Sequence, residues 1–156
     1  MKLYFVRHGE ALSPDIDPDQ PLSPAGKQET EQVAKYLKQT NLEVDEIAHS
    51  VKLRAKQTAE IFGSILCPKV PLIEKEGLKP MDPIEPILEE IESLNSDRMW
   101  VGHLPFMEKI LTRLVLKEEK NSPFLFCGSA IVCLEGEKKE WSILWAISPK
   151  LLNSPL

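Results

Sequence analysis

The sequence predicts a three-layer α/β/α sandwich: a mainly parallel sheet covered on both faces and finished by an antiparallel C-terminal strand or hairpin. Three observations predict it. Short apolar runs alternate with helical periodicity through residue 116, the order from which parallel sheets are built. The last third of the chain changes to two strand-like runs around a charged turn. Polar residues with chemical potential gather at strand-to-helix junctions, the edge at which open α/β sheets bind ligands.

The elements follow in order. Leu3-Tyr4-Phe5-Val6 reads as a buried strand, and it runs directly into Arg7-His8-Gly9-Glu10. Residues 11–22 carry Pro14, Pro18 and Pro21 and read as loop. Ser23 suits an N-cap and Pro24 the first helical position, so a helix starts there and runs to about Gln39. Glu43 to Ala48 is a second strand. From Lys52 to Leu66, Ala55, Ala59, Phe62 and Leu66 recur at helical spacing. Cys67 to Ile73 reads as a short edge strand between prolines, and Glu74 to Pro83 as loop.

Ile84, Ile87, Leu88, Ile91 and Leu94 form an amphipathic stripe. Arg98 to Val101 is the third core strand, closed by Gly102-His103, and Pro105 opens a helix whose apolar face is Phe106, Ile110, Leu114 and Val115. Lys117 to Pro123 is polar loop. Ser129 to Leu134 and Trp141 to Ile147 are expected to form a hairpin turning at Glu135-Gly136-Glu137-Lys138. The tail after Ser148 has two prolines and no period, and is expected to pack loosely.

Composition excludes several functions. The 156 residues predict one domain, 1–156, with a full core. Hydrophobic residues at 42% and charged residues at 28% are ordinary for a soluble globular chain. A net charge of −5 argues against a nucleic-acid partner, which needs a clustered positive surface. No segment has the length of a membrane span. Cys67, Cys127 and Cys133 form no CxxC pair and leave one unmatched, which fits reduced thiols in a cytoplasmic protein. The N-terminal apolar run is too short for an export signal.

Three junctions carry the chemistry: Arg7 and His8; His49 and Ser50 with Arg54 in the following helix; Gly102 and His103. In a parallel sheet they share one edge, where helix N-termini also favour anions. Arginine offers phosphate a planar fork of donors, and histidine can act as base, acid or nucleophile. Glycine at position 9 lets a ligand approach the backbone. Together these suggest a phosphoryl pocket. Singly, each has a plainer role: His103 as a packing or capping group, Arg54 as a surface residue, His49 as a hydrogen-bonded strand residue. A zinc site from His8, His49, His103 and Glu10 is the competing arrangement. It lacks tight ligand spacing and would set Arg7 and Arg54 against a cation. A Ser-His-Asp hydrolase is disfavoured by the absence of a G-x-S-x-G elbow.

Arg7-His8-Gly9-Glu10-Ala11, Pro21-Leu22-Ser23-x-x-Gly26, Ser50-x-x-x-Arg54-Ala55-x-Gln57-Thr58 and Gly102-His103-Leu104-Pro105 occur in this order. The pattern resembles the histidine phosphatase superfamily, which includes phosphoglycerate mutases. The chain length, His103-Leu104-Pro105, Ser129-Ala130-Ile131 and Ile147-Ser148-Pro149 resemble its small phosphohistidine phosphatase branch, the SixA type.

The resemblance implies a phosphoglycerate mutase-like fold and a phosphatase without cofactor or metal. It implies His8 as nucleophile and transient phosphohistidine, and Arg7, Arg54, His103 and Gly9 as phosphate-binding. Phosphate or sulfate would occupy such a pocket. The implied substrate is phosphohistidine on a signalling or phosphocarrier protein, with a small phosphomonoester, or phosphoryl binding without turnover, as alternatives. The four motifs depart from the family in places. Val51 replaces a common proline, and Gln20 stands where some small members carry arginine. Mutase-like members place an acidic proton donor on an inserted loop. Glu74, Glu76 and Asp82 are the candidates here, while Glu10 is expected to orient its neighbours. The nearby arginines are expected to lower the His8 pKa.

Overall fold

The computed structural model describes residues 1–118 and 121–153. A six-stranded sheet runs through the middle. Its strands are β1 (Lys2–Arg7), β2 (Glu46–His49), β3 (Leu72–Glu74), β4 (Arg98–Gly102), β5 (Ile131–Glu137) and β6 (Glu140–Ile147). They lie in the order β3-β2-β4-β1-β5-β6. The first four are mutually parallel, β5 is antiparallel to β1, and β6 is antiparallel to β5. The helices are α1 (Pro24–Lys38), α2 (Leu53–Leu66), α3 (Glu85–Ser93), α4 (Phe106–Leu116) and α5 (Pro149–Asn153).

Alternation along the strands builds two cores, one per sheet face. Leu3, Phe5 and Trp100 face α3 and α4, meeting Ile87, Ile91, Phe106 and Ile110. Tyr4, Val6, Met99 and Val101 face α1 and α2, meeting Val33, Leu37, Ala59 and Phe62. β1 is therefore buried on both sides, and the residues beyond its end are held by a rigid centre. That is the predicted three-layer sandwich. No helix among the described residues is long and apolar enough to cross a membrane.

Local chemistry accounts for the element ends. The Ser23 hydroxyl accepts the Gly26 backbone N–H at 3.0 Å, capping α1, with Pro24 at its first position. Arg98 joins β4 to its neighbours through Glu46 (3.2 Å) and Glu90 (3.0 Å), and Lys75 also reaches Glu90 (2.7 Å).

Three expectations change. The edge strand is shorter and later than the apolar run suggests, because Leu72 and Ile73 are 40% and 42% exposed and only Leu72–Glu74 pairs with β2. The hairpin strand continues through Gly136 to Glu137, and the chain turns at Lys138, which has φ 53°. A Cβ on Gly136 would fall 2.0 Å from the Glu140 carbonyl oxygen. The glycine therefore serves close strand approach, and the turn falls beyond it. The described part of the tail forms a short helix, Pro149–Asn153. Pro149 is buried at the start of α5 and Leu152 joins the core under α1. Of the tail, residues 154–156 lie outside the described residues, as do residues 119–120 of the preceding polar loop.

Candidate active site

The carboxyl ends of β1, β4 and β2 stand side by side and are stitched together by backbone bonds. The His8 N–H donates to the Gly102 carbonyl (2.9 Å), and the Ser50 N–H to that of Val101 (3.0 Å). From the other side, Ser129 donates its N–H to the carbonyls of Arg7 (3.1 Å) and His8 (3.3 Å). The three junctions are thereby gathered at one edge, beside a cleft of about 430 Å³. Its walls include Arg7, His8, Gly9, Glu10, Arg54 and Cys127, together with Gln20, Glu29 and Lys150.

Each polar group is oriented by a named contact. Arg7 is anchored by one terminal nitrogen, Nη1, donating to the Phe126 carbonyl at 2.8 Å; its Nε is buried with no partner among the described residues. His8 Nδ1 lies 2.7 Å from the Gly9 carbonyl oxygen. A carbonyl only accepts, so Nδ1 carries the proton and Nε2 keeps its lone pair. Gly9 thus acts through its carbonyl. Its N–H is already donated to Thr58 Oγ1 (3.0 Å), so it is not the free phosphate donor that the sequence pattern suggests. Thr58 in turn donates to the Arg54 carbonyl (2.8 Å), tying the first turn of α2 to the loop after β1.

His103, 1% exposed, lies behind His8 with ring centroids 5.0 Å apart, and its Nε2 is 2.8 Å from Ser50 Oγ. His103 is not part of the cleft wall.

The electrostatics favour neutral imidazoles beside fixed cations. Burial first, then the charges of Arg54 and Arg7, brings the His8 pKa down to about 4. The arginines act in the expected direction, but desolvation is the larger cause. His103 is held lower still, at about 3, by burial and by the charges of His8, Arg54 and Lys52. Burial also lowers the Arg54 pKa, from a reference so high that the guanidinium stays charged. Near neutrality the site therefore holds two guanidinium groups around an imidazole with a free lone pair. Such an arrangement can attract a phosphoryl group and attack it.

The remaining candidates are placed elsewhere. Glu74 pairs with His49 on the edge strand β3. Glu76 is at the surface, 3.7 Å from Lys79. Asp82 accepts the Lys79 N–H (2.8 Å) and lines a different hollow of about 1030 Å³ against α4. None of the three lines the cleft. Its carboxylates are Glu10 and Glu29. Glu10 Oε1 accepts the Ser23 hydroxyl at 2.9 Å, the orienting role expected of it. His49 Nδ1 donates to the Ser50 carbonyl at 3.0 Å and does not face the cleft. Among the described residues no three potential ligands are arranged to share a metal ion.

Sequence reasoning missed the supporting network. Thr30 donates to the Gly26 carbonyl (2.7 Å), and its oxygen is 2.8 Å from Ser129 Oγ, across 99 positions of sequence. Ser129 holds φ 63°, a backbone conformation unusual for a residue with a side chain. The motif Ser129-Ala130-Ile131 was the available signal for it. In the tail, the motif Ile147-Ser148-Pro149 was the available signal for Pro149 and Lys150 as a wall of the site.

The sequence model of the histidine phosphatase superfamily, branch 1, matches residues 3–85, which include Arg7, His8 and Arg54. The chain belongs to the histidine phosphatase superfamily. An uncharacterised protein of Picosynechococcus sp. strain PCC 7002 is 36% identical over 112 residues, covering 67% of each chain. The phosphohistidine phosphatase SixA of Escherichia coli K12 is 28% identical over 156 residues, covering 96% of this chain and 94% of its own. Among solved structures, the protein histidine phosphatase SixA complexed with tungstate superposes with a TM-score of 0.87 at 25% identity, covering 98% of this chain and all of that one (100%). The likeness to that histidine phosphatase spans β1 through α5, so the fold is the phosphoglycerate mutase-like one.

Proposed function

We propose that the protein is a phosphatase that hydrolyses phosphohistidine on another protein by way of a phosphohistidine at His8. One observation carries this reading. The proton of His8 is committed to the Gly9 carbonyl, which leaves the Nε2 lone pair at a cleft lined by Arg7 and Arg54. Nε2 attacks phosphorus and forms an N–P bond, while the P–N bond to the substrate imidazole breaks and that imidazole takes a proton from solvent. Water then attacks the phosphorus of phospho-His8; the N–P bond returns its electrons to Nε2, and inorganic phosphate leaves. Charge gathers on the phosphoryl oxygens throughout, so positioning and electrostatic stabilisation are the main demands. Arg7 and Arg54, which line the cleft, and His103, whose ring packs against that of His8, are proposed to meet them without a metal ion.

The substrate class follows from what surrounds the cleft. Glu74, Glu76 and Asp82 lie away from it, which suits a labile P–N bond that needs little help from an acid. Exposed aliphatic side chains stand on segments that wall the cleft: Leu125 is 84% exposed near Cys127, and Ile16 is 72% exposed in the loop between Ala11 and Gln20. Such side chains suit docking of a macromolecule. The similarity to SixA proteins, one with the oxyanion tungstate, supports the same reading. The three cysteines are unpaired, in keeping with a cytoplasmic setting.

The alternative is a small phosphomonoester, with Glu10 or Glu29 protonating the leaving alcohol; both line the cleft.

Rapid-quench mass spectrometry under neutral workup tests the mechanism. Phosphate is expected on His8 after mixing with a phosphohistidine carrier protein, and its absence with every phosphoryl donor would leave a binding module in place of an enzyme. Parallel turnover of that carrier and a panel of phosphomonoesters assigns the substrate class. Faster turnover of the monoesters would remove the protein-substrate reading.

A further inference from the structure

Ser50 follows the last residue of β2 and is fully buried. Its oxygen lies 2.8 Å from His103 Nε2 and also receives the Lys52 backbone N–H at 3.5 Å. The other nitrogen of His103, Nδ1, is sealed from solvent and has no hydrogen-bond partner among the described residues. A hydroxyl carries one proton and two lone pairs, and a neutral imidazole has one donor nitrogen and one acceptor nitrogen.

Proton counting separates the two possible tautomers. If His103 Nε2–H donates to Ser50, the hydroxyl proton has nowhere to go, since its other partner, the Lys52 N–H, is itself a donor. His103 Nδ1 is then a buried lone pair as well, so two polar groups go unmatched. If the hydroxyl donates to Nε2, its oxygen remains free to accept the Lys52 N–H. The one unmatched group is then His103 Nδ1–H. Each buried unmatched group carries a desolvation cost, so the second arrangement is favoured.

We propose that Ser50 is a positioning residue whose hydroxyl fixes the His103 proton on Nδ1, so that a neutral imidazole offers a hydrogen-bond donor to the phosphoryl group carried by His8. The tautomer stands by itself; its use toward a phosphoryl group rests on the proposed function. The two rings, with centroids 5.0 Å apart, then have divided tasks. The Gly9 carbonyl takes the Nδ1 proton of His8 and leaves a lone pair for attack. The Ser50 hydroxyl gives its proton to His103 and leaves a donor. With Nε2 engaged by Ser50, Nδ1 is the nitrogen of His103 left for a phosphoryl oxygen, and the opposite tautomer would leave a lone pair there. Burial keeps His103 neutral, with a pKa near 3, so its single proton has to be on the correct nitrogen. An imidazolium would carry both protons and have no need of Ser50.

The test is long-range 1H–15N correlation spectroscopy on the full-length protein at pH 7, with and without inorganic phosphate, on wild type and Ser50→Ala. In wild type, His103 is expected to be protonated at Nδ1 with Nε2 as acceptor, and the Nδ1 signals should move when phosphate binds. Ser50→Ala is expected to populate the Nε2–H tautomer and to weaken phosphate about tenfold, the ratio that corresponds to about 1.4 kcal/mol for one hydrogen bond to an anion. An Nε2–H tautomer in wild type overturns the proposal, as does a Ser50→Ala protein with unchanged tautomer and phosphate affinity. The wild-type spectrum decides the tautomer even if the variant fails to fold. Failures of the two readings differ. Active enzyme with His103 in the Nε2–H form removes only the Ser50 role. Wild type with Nδ1–H that neither binds phosphate nor turns over a phosphoryl donor removes the functional reading and, with it, the phosphoryl use of that proton.

Discussion

Moderate acid should unfold this protein sooner than carboxylate titration alone would, because two histidines are folded in their neutral form. The folded pKa values are about 4 for His8 and about 3 for His103, both below the ordinary 6.5. The unfolded chain binds more protons in that interval, so stability is full above about pH 6.5 and falls as the pH drops toward 4. For His8 the loss levels off below about pH 4, and for His103 below about pH 3, once the folded form is protonated as well. At pH 5 each ring is still neutral in the fold and almost wholly charged in the unfolded chain, which costs roughly 2 kcal/mol apiece, about 4 kcal/mol for the pair. That is a large share of the 5–15 kcal/mol typical of a domain. Urea unfolding at pH 7 and pH 5 reads it directly, comparing wild type with His8→Asn/His103→Asn. For a slope near 2 kcal/mol/M, the wild-type midpoint should fall about 2 M further than that of the double variant. Equal falls in the two proteins would refute the reasoning, since the loss would then come from groups other than these histidines.

Two further outcomes follow from the geometry. Gly26→Ala would place a Cβ 2.1 Å from the Glu10 carbonyl oxygen and 2.9 Å from the Glu10 nitrogen. Backbone has to move, at a cost of about 2 kcal/mol or more, so the thermal midpoint should drop by roughly 4–8 °C; an unchanged melt would show that the loop yields freely. Leu125→Ser removes an exposed side chain two residues from the cleft wall. It should lower kcat/KM for a phosphohistidine carrier protein by about tenfold, the effect of withholding about 1.4 kcal/mol of apolar burial, and leave a small aryl phosphate untouched. Equal losses on both substrates would tell against docking through Leu125.

Legibility in the sequence tracked how local each signal was. The opening strand and its Arg7-His8 ending were readable because an apolar run buried on both faces meets charge abruptly at the sheet edge. Ser23-Pro24 announced α1 because capping is a matter of adjacent residues. The edge strand reads longer in sequence than β3 is, because Val70, Leu72 and Ile73 have strand chemistry, whereas pairing is decided by how far β2 reaches alongside. Gly136 reads as a turn residue in sequence, since a close backbone approach across a hairpin leaves the same mark as a bend. At the site, the residues that bear charge could be named in advance and the ones that aim them could not. Ser129 and Thr30 meet across 99 positions, and the Phe126 carbonyl that anchors Arg7 has no side-chain signature at all. Glu74, Glu76 and Asp82 look like proton donors for the same reason: loop acidity is visible in a sequence, but the direction a loop takes is not.

The reversal of direction at β5 has a consequence for how this scaffold can change. The loops that end in His8, Ser50 and His103 each lead into the rest of the sandwich, so altering their length would disturb a core-packed helix or strand. The segment before β5 arrives at the same edge from the opposite side, bringing Phe126, Cys127 and Gly128 to the cleft and leaving Leu125 outside it. It is tied to the reactive centre through the Phe126 carbonyl, the Ser129 N–H and the Ser129 hydroxyl, which meets Thr30. Leu125, ahead of that point, is 84% exposed, whereas Phe124 packs edge-on against Phe126 and so bears on the carbonyl that holds Arg7. The reactive centre and the exposed side chain beside it thus have separate supports, and position 125 can vary with no core contact to lose.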